Sequence, residues 1–199
     1  DGGKTWQKST GEKYNLPITE ETAEYACNIP EEHELINQTA MSADSKGRPY
    51  IATYWRPEGA TVPQYFIVYY DGKQWHQQQV SNRKTPFVLG GYNTKKIPIA
   101  RPQLLLKENN HEVQALLIYR DEEQGNRISV LRGVPSEKKW EHLYLTKFSV
   151  GSWEPTYDAE LWKKHGILDL FVQHTKQGDG EKADNIPAQP VLILRWGGR

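Results

Sequence analysis

The chain has 199 residues, 37% hydrophobic and 11% aromatic, which is enough apolar material for a packed core and excludes a disordered chain. Its 25 Lys and Arg residues balance 25 Asp and Glu, so the basic footprint of a nucleic-acid binder is missing. No apolar run approaches the roughly 18 residues of a membrane-spanning helix, and the single cysteine, Cys27, excludes an internal disulfide and reads as a small buried apolar residue.

Residues 1–6, DGGKTW, fit the last four fixed places of the turn pattern S-x-D-x-G-x-T-W, the Asp-box. Asp and Gly shape a tight reversal, Thr leads into the next strand, and Trp packs under the turn. The expectation is that the chain starts inside this hairpin and is part of a larger protein. Asp71-Gly72-Lys73-Gln74-Trp75 is a weaker copy, and Ser136-Glu137-Lys138-Lys139-Trp140 keeps only the polar turn and the Trp.

Three landmarks recur at one offset of 65: Gln38 with Gln103, Tyr54 with Tyr119, and Trp75 with Trp140. The recurrence predicts one frame used twice, in which Gln opens a first strand, Tyr closes a second and Trp opens a fourth. Residues 65–70 (YFIVYY), 113–119 (VQALLIY), 167–172 (ILDLFV) and 191–196 (VLILRW) are short apolar runs between turn signals, the pattern of strands covered on both faces. Asp158 to His165 is the one helix-like stretch and reads as a turn or short helix. Without helical crossovers a parallel α/β sheet fits poorly. Antiparallel sheets stacked face to face around an axis fit well, which predicts an all-β chain forming a β-propeller of four-stranded antiparallel blades.

In that frame residues 1–34 end an upstream blade, 35–81 form a blade, 82–100 a long rim loop, 101–147 a second blade, and 151–199 a third lacking its last strand. About three blades are expected, as a fragment of a larger, seven-bladed propeller. An upstream segment or another copy of the chain would complete the unpaired edge strands.

The Asp-box, the segments LINQTAMSADSKGRPYIATYW, GGYNTKKIPIARPQ and IYRDEEQGNRISV, and the phrase GSWEPTYD resemble BNR-repeat propellers of bacterial glycan-active proteins. That group includes members labelled neuraminidases and relatives of ulvan lyases. The resemblance runs from about Tyr25 to the end. It implies a secreted or periplasmic carbohydrate-active protein, although the same scaffold carries several chemistries.

In a propeller, Asp-box turns lie on one rim, while first-strand starts, second-strand ends and the connections between blades lie on the other. The second rim collects Asn37, Gln38, Tyr54, Arg56, Gln64, Tyr65, Arg101, Gln103, Tyr119, Arg120, Asp121, Glu154, Gln173 and His174, with Arg83, Tyr92, Lys95 and Lys96 from the long loop. Arginine forks and amides match the carboxylates and hydroxyls of a uronate polysaccharide. The resemblance to ulvan lyases implies an Arg, Tyr and His set for β-elimination, and the matching residues are Tyr54, Arg56 and Tyr92, with the paired histidines of the family falling outside this chain. Gln38, Gln64, Arg83, Arg101, Gln103, Arg120, Glu154 and His174 are the substrate-binding candidates. Tyr54 and Tyr119 also read as packing residues, Arg56 and Arg101 as bridges between blades, and Arg120 with Asp121 as a structural pair.

No cofactor is predicted. His33, His76, His111, His142 and His165 are scattered without ligand spacing, so no zinc site is expected. The favoured function is lyase-type β-elimination on an acidic, uronate-containing polysaccharide; the alternatives are a glycosidase of the sialidase or rhamnosidase kind and a glycan-binding propeller without catalysis. The Phe-Arg-Ile-Pro segment of sialidases is not in the sequence.

Overall fold

The computed structural model describes residues 1–35, 39–109, 112–180 and 184–197. They form an almost all-β molecule. The first sheet is antiparallel and follows chain order: β1 (Ala40–Ala43), β2 (Pro49–Trp55), β3 (Gln64–Tyr70) and β4 (Trp75–Gln79). The second repeats it with β5 (Gln103–Asn109), β6 (Glu112–Arg120), β7 (Ile128–Val134) and β8 (Lys139–Tyr144). A third, two-stranded sheet pairs β9 (Leu168–Val172) with β10 (Leu192–Trp196). The expected first strand near Trp153 shrinks to isolated bridges, Gly151 to Thr175 and then Tyr157 to Leu170. Between the second bridge and β9 lies helix α1 (Ala159–His165), capped by the Asp158 side chain on Leu161 N at 2.9 Å and ended by left-handed Gly166.

Alternation along the strands sorts side chains into two layers. Tyr50, Ala52, Tyr54, Tyr65, Ile67 and Tyr69 of the first sheet pack with Leu104, Val113, Ala115, Leu117, Tyr119 and Leu131 of the second. Leu105, Leu116, Ile118, Ile128 and Val130, on the second sheet's opposite face, pack with Val150, Trp153, Leu168, Leu170 and Val172. A smaller cluster covers the first sheet's other face, where Ala26, Cys27 and Ile29 lie on Trp55, Phe66 and Val68. Cys27 is half-buried there, and burial pushes its thiol up. At about 1.5–3 kcal/mol per large side chain fully buried, these layers are the main source of stability. Four-stranded antiparallel sheets stacked in this way are consistent with propeller blades.

The two four-stranded sheets do not share one register. Ala40 pairs with Ala52, but Leu105, its counterpart at the offset of 65, pairs with Leu116 rather than Leu117. Strand β6 is therefore displaced by one residue relative to its neighbours, and a one-residue slip exchanges faces. Tyr54 faces the second sheet, whereas Tyr119 faces back toward the first. Trp75 pairs with Tyr70 at the start of its strand, while Trp140 pairs with Gly133 one residue into its own. Both rings still face the layer that precedes their sheet: Trp75 packs beside Cys27, and Trp140 packs on the first sheet. The recurrence of Tyr and Trp thus marks equivalent strands, not equivalent positions. Gln38 lies outside the described residues.

The turns explain the aspartates. Asp1 accepts hydrogen bonds from Gly3 N at 3.0 Å, Lys4 N at 3.1 Å and the Thr5 hydroxyl. Asp71 accepts from Lys73 N at 2.7 Å and Gln74 N at 2.9 Å and contacts His76 Nε2 at 2.7 Å. Gly72 follows at φ 101°, a conformation that side chains disfavour. The third turn has no such aspartate: Pro135–Glu137 form a 3-10 turn closed by left-handed Lys138.

Two outcomes follow. A Cβ on Gly133 would lie 2.2 Å from the Lys139 carbonyl and 2.8 Å from the Trp140 ring, so Gly133→Ala should destabilise by about 1–3 kcal/mol, read as a lower urea midpoint. The amide of Gln74, His76 and the amide of Lys73 hold the Asp71 carboxyl well below the usual range. Because its folded pKa is depressed, its contribution is present above about pH 4 and fades as pH falls further. Asp71→Asn should therefore flatten the acid limb of stability against pH, while an unchanged limb would show that the turn does not act through charge.

Candidate functional site

The loop of residues 82–100 crosses the rim opposite the Asp-box turns and is fastened at both ends. At its start the Gln64 amide donates to the Arg83 carbonyl at 2.9 Å and accepts from Arg83 N at 2.8 Å and the Ser81 hydroxyl at 2.7 Å. Arg83 Nε donates to Asp121 at 2.7 Å, its head lies 3.7 Å from Glu123, and both members of the Arg83–Asp121 pair have side chains only 3% exposed. Burial pushes the Asp121 carboxyl up while Arg83 pulls against it. Glu123 caps the backbone amides of Lys84 and Thr85.

At the loop's end, buried Arg120 donates to the carbonyls of Pro98 at 3.0 Å and Ile97 at 3.3 Å, to Asn126 Oδ1 at 3.3 Å, and to the Trp153 carbonyl at 3.0 Å. Its Nη2 also lies 3.7 Å from Glu154. Burial pulls this guanidinium below its usual range.

Glu154 joins this hub to an open cleft of about 200 Å³ lined by Thr39, Arg101, Pro102, Gln103, Glu154 and Pro155. Its Oε2 accepts from Arg101 N at 2.9 Å and Arg101 Nε at 3.3 Å, and both side chains are about a third exposed. Gln103 donates to the Pro155 carbonyl at 3.2 Å. A guanidinium, a carboxylate and an amide brought together in this way can grip the carboxylate and hydroxyls of a sugar acid. Three expected site residues, Arg101, Gln103 and Glu154, therefore meet in one cleft. Thr39 is an addition, with no motif to single it out.

The other expected residues are placed differently. Tyr54 is fully buried, edge-on to Tyr65 and Phe87, and its hydroxyl has no hydrogen-bond partner among the described residues. Burial pushes that phenol up, so it offers no ready base. Arg56 is a tether: it donates to Glu34 at 2.6 Å, the Glu32 carbonyl at 2.8 Å and the Ala60 carbonyl at 3.3 Å. Tyr92 is 93% exposed in the long loop and does not line the cleft, so the three expected catalytic residues do not converge.

Gln64, Arg83 and Arg120 are spent on the loop, and Asp121 with them. Tyr65 and Tyr119 are core residues, and Tyr65 donates to the Ala100 carbonyl. Gln173 donates to the Gln189 carbonyl at 3.2 Å, and His174 lies exposed beside Gly151. The Lys95 carbonyl and the Lys96 amide are held by Gln177 and Asp179. Asn37 and Gln38 lie outside the described residues. Among the described residues no three His, Cys, Asp or Glu side chains group to hold a metal, and no helix is long and apolar enough to cross a membrane.

Removing one partner of a buried pair leaves an uncompensated charge. Asp121→Asn should lower the unfolding free energy by about 3–5 kcal/mol in urea titration. A loss below about 1 kcal/mol would show that Glu123 alone can neutralise Arg83.

Residues 1–83 match the model of a family described as a BNR repeat-containing family member. The matched part holds both Asp-box turns, at Asp1 and Asp71, and the whole first sheet. No curated protein matches the chain. The match supports a BNR-repeat family for this part of the molecule, and with it a relation to carbohydrate-related, sialidase-like proteins.

Proposed function

We propose that the chain is part of a larger propeller, seven-bladed by family resemblance, that binds an acidic, uronate-containing polysaccharide on the loop rim. The observation that carries this reading is the cleft where Arg101, already oriented by Glu154, meets Gln103 and Thr39. Such a guanidinium loses little freedom when it takes a second carboxylate. The resemblance further supports work outside the cytoplasm, and completion of the third sheet by another segment of the propeller or a second copy.

Lyase-type β-elimination is the second reading, favoured by one observation. The Tyr54 hydroxyl, without a hydrogen-bond partner among the described residues, is buried in the same layer as Leu104, the neighbour of Gln103 in the cleft. Elimination would require it to be uncovered and to lose its proton to a base. The glycosidase alternative has no comparable support, because a hydrolase needs an acid and a nucleophile or base in reach of one bond.

Titration with polygalacturonate tests both readings. Arg101→Lys should weaken binding about 10- to 150-fold, the equivalent of about 1.5–3 kcal/mol for a charged hydrogen bond, with little change in melting temperature. Arg56→Lys should do the reverse. Equal binding by wild type and Arg101→Lys would remove the cleft from consideration. Growth of ultraviolet absorbance from a new conjugated double bond, abolished in Tyr54→Phe at unchanged stability, would establish elimination. Binding without that signal leaves the binding reading alone.

A further inference from the structure

We propose a second binding site, for an uncharged sugar residue, in the groove between the outer strands β4 and β8. The groove has a volume of about 320 Å³, is roofed by the turn after β6, and shares Arg83, Asp121 and Glu123 with the network that fastens the long loop. Its floor is apolar and aromatic: Val80, Tyr119 and Leu131 are buried, and the Trp140 ring is partly so. A ring-and-aliphatic floor with a few polar groups at the edge is the usual build of a small-ligand site, and sugar C–H faces lie well on such floors.

The edge supplies uncharged donors and acceptors. Gln79 uses its Nε2 on the Ser81 carbonyl at 2.8 Å, which leaves its carbonyl oxygen available. Gln124 uses its oxygen on the Tyr144 hydroxyl and keeps its NH₂ group. Asn82 accepts from Lys84 Nζ at 2.8 Å and likewise keeps its NH₂. His142 lies tilted beside Tyr119 and edge-on to Tyr144, and neither ring nitrogen has a hydrogen-bond partner among the described residues. Burial and Arg127 hold its imidazole toward the neutral form, which has one donor and one acceptor. Adjacent sugar hydroxyls, each both donor and acceptor, match this alternating set.

Charge argues against an acid here. Arg83 is consumed by Asp121 and Glu123, so the charged residues of the lining leave one net negative charge. This site therefore differs in ligand from the Arg101 cleft and does not depend on it.

The test is a titration of the ¹⁵N-labelled protein with cellotetraose, xylotetraose and mannotetraose, and with a tetramer of galacturonate as the anionic control. The expected result is that a neutral tetramer moves the Trp140 indole and the Gln124 side-chain signals. Gln124→Ala and His142→Ala, both at the edge, should each weaken that binding by about tenfold at unchanged melting temperature. Arg101→Lys should leave it intact, which separates the two sites. The proposal is overturned if no neutral tetramer moves these signals, if binding survives both edge variants, or if only the galacturonate tetramer acts there.

Discussion

One buried guanidinium holds the rim together. Arg120 reaches the end of the long loop, the corner before β7 and the chain entering the third sheet through hydrogen bonds to carbonyl and amide oxygens, and it pairs with the Glu154 carboxylate. The Pro98 carbonyl also accepts from Glu122 N at 2.9 Å, so Arg120 adds to the backbone pairing there. An arginine suits the task because its planar fork delivers several N–H groups from one point. Trp153, whose carbonyl the fork holds, is also a member of the second contact layer, so backbone polarity and hydrophobic packing meet at the same residue.

The same economy explains why so few polar rim groups face a ligand. Gln64, Arg83, Asp121 and Glu123 form a chain of partners that turns residues 82–86 across the rim. Where the hub reaches Glu154 the network comes to the surface, and there it meets Arg101. The acidic-sugar cleft is thus the exposed end of a buried network. The neutral groove lies on the network's other flank, where Arg83 is already neutralised.

Much of the fold could be read from the residues, because strands buried on both faces leave continuous apolar runs such as 65–70 and 113–119. The short edge strands were legible only through their Trp landmarks. The slip of β6 was not legible, since Leu116, Leu117 and Ile118 are apolar on either face and carry no mark of register. Burial of Tyr54 was implied by its own strand, yet its place at a strand end favoured a rim role. The arginines defeat a sequence reading for a different reason. Arg56, Arg83, Arg101 and Arg120 look alike in one dimension, and their fates depend on carboxylates and carbonyls tens of residues away, Asp121 for Arg83 and Glu154 for Arg101.

The two packing layers differ in chemistry. The first sheet contributes four tyrosines to one layer, with Tyr50 and Tyr69 stacked at 5.5 Å and Tyr54 edge-on to Tyr65. The layer on the other side of the second sheet is built almost wholly from Leu, Ile and Val around Trp153. The middle sheet therefore carries a different complement on each side, fitted to rings in front and to branched aliphatics behind. Sheets with interchangeable faces could shuffle, swap between chains or stack in the wrong sequence. Here each surface acts as an address that only one neighbour can read, so the order of the layers is written into the shape and polarity of their contacts.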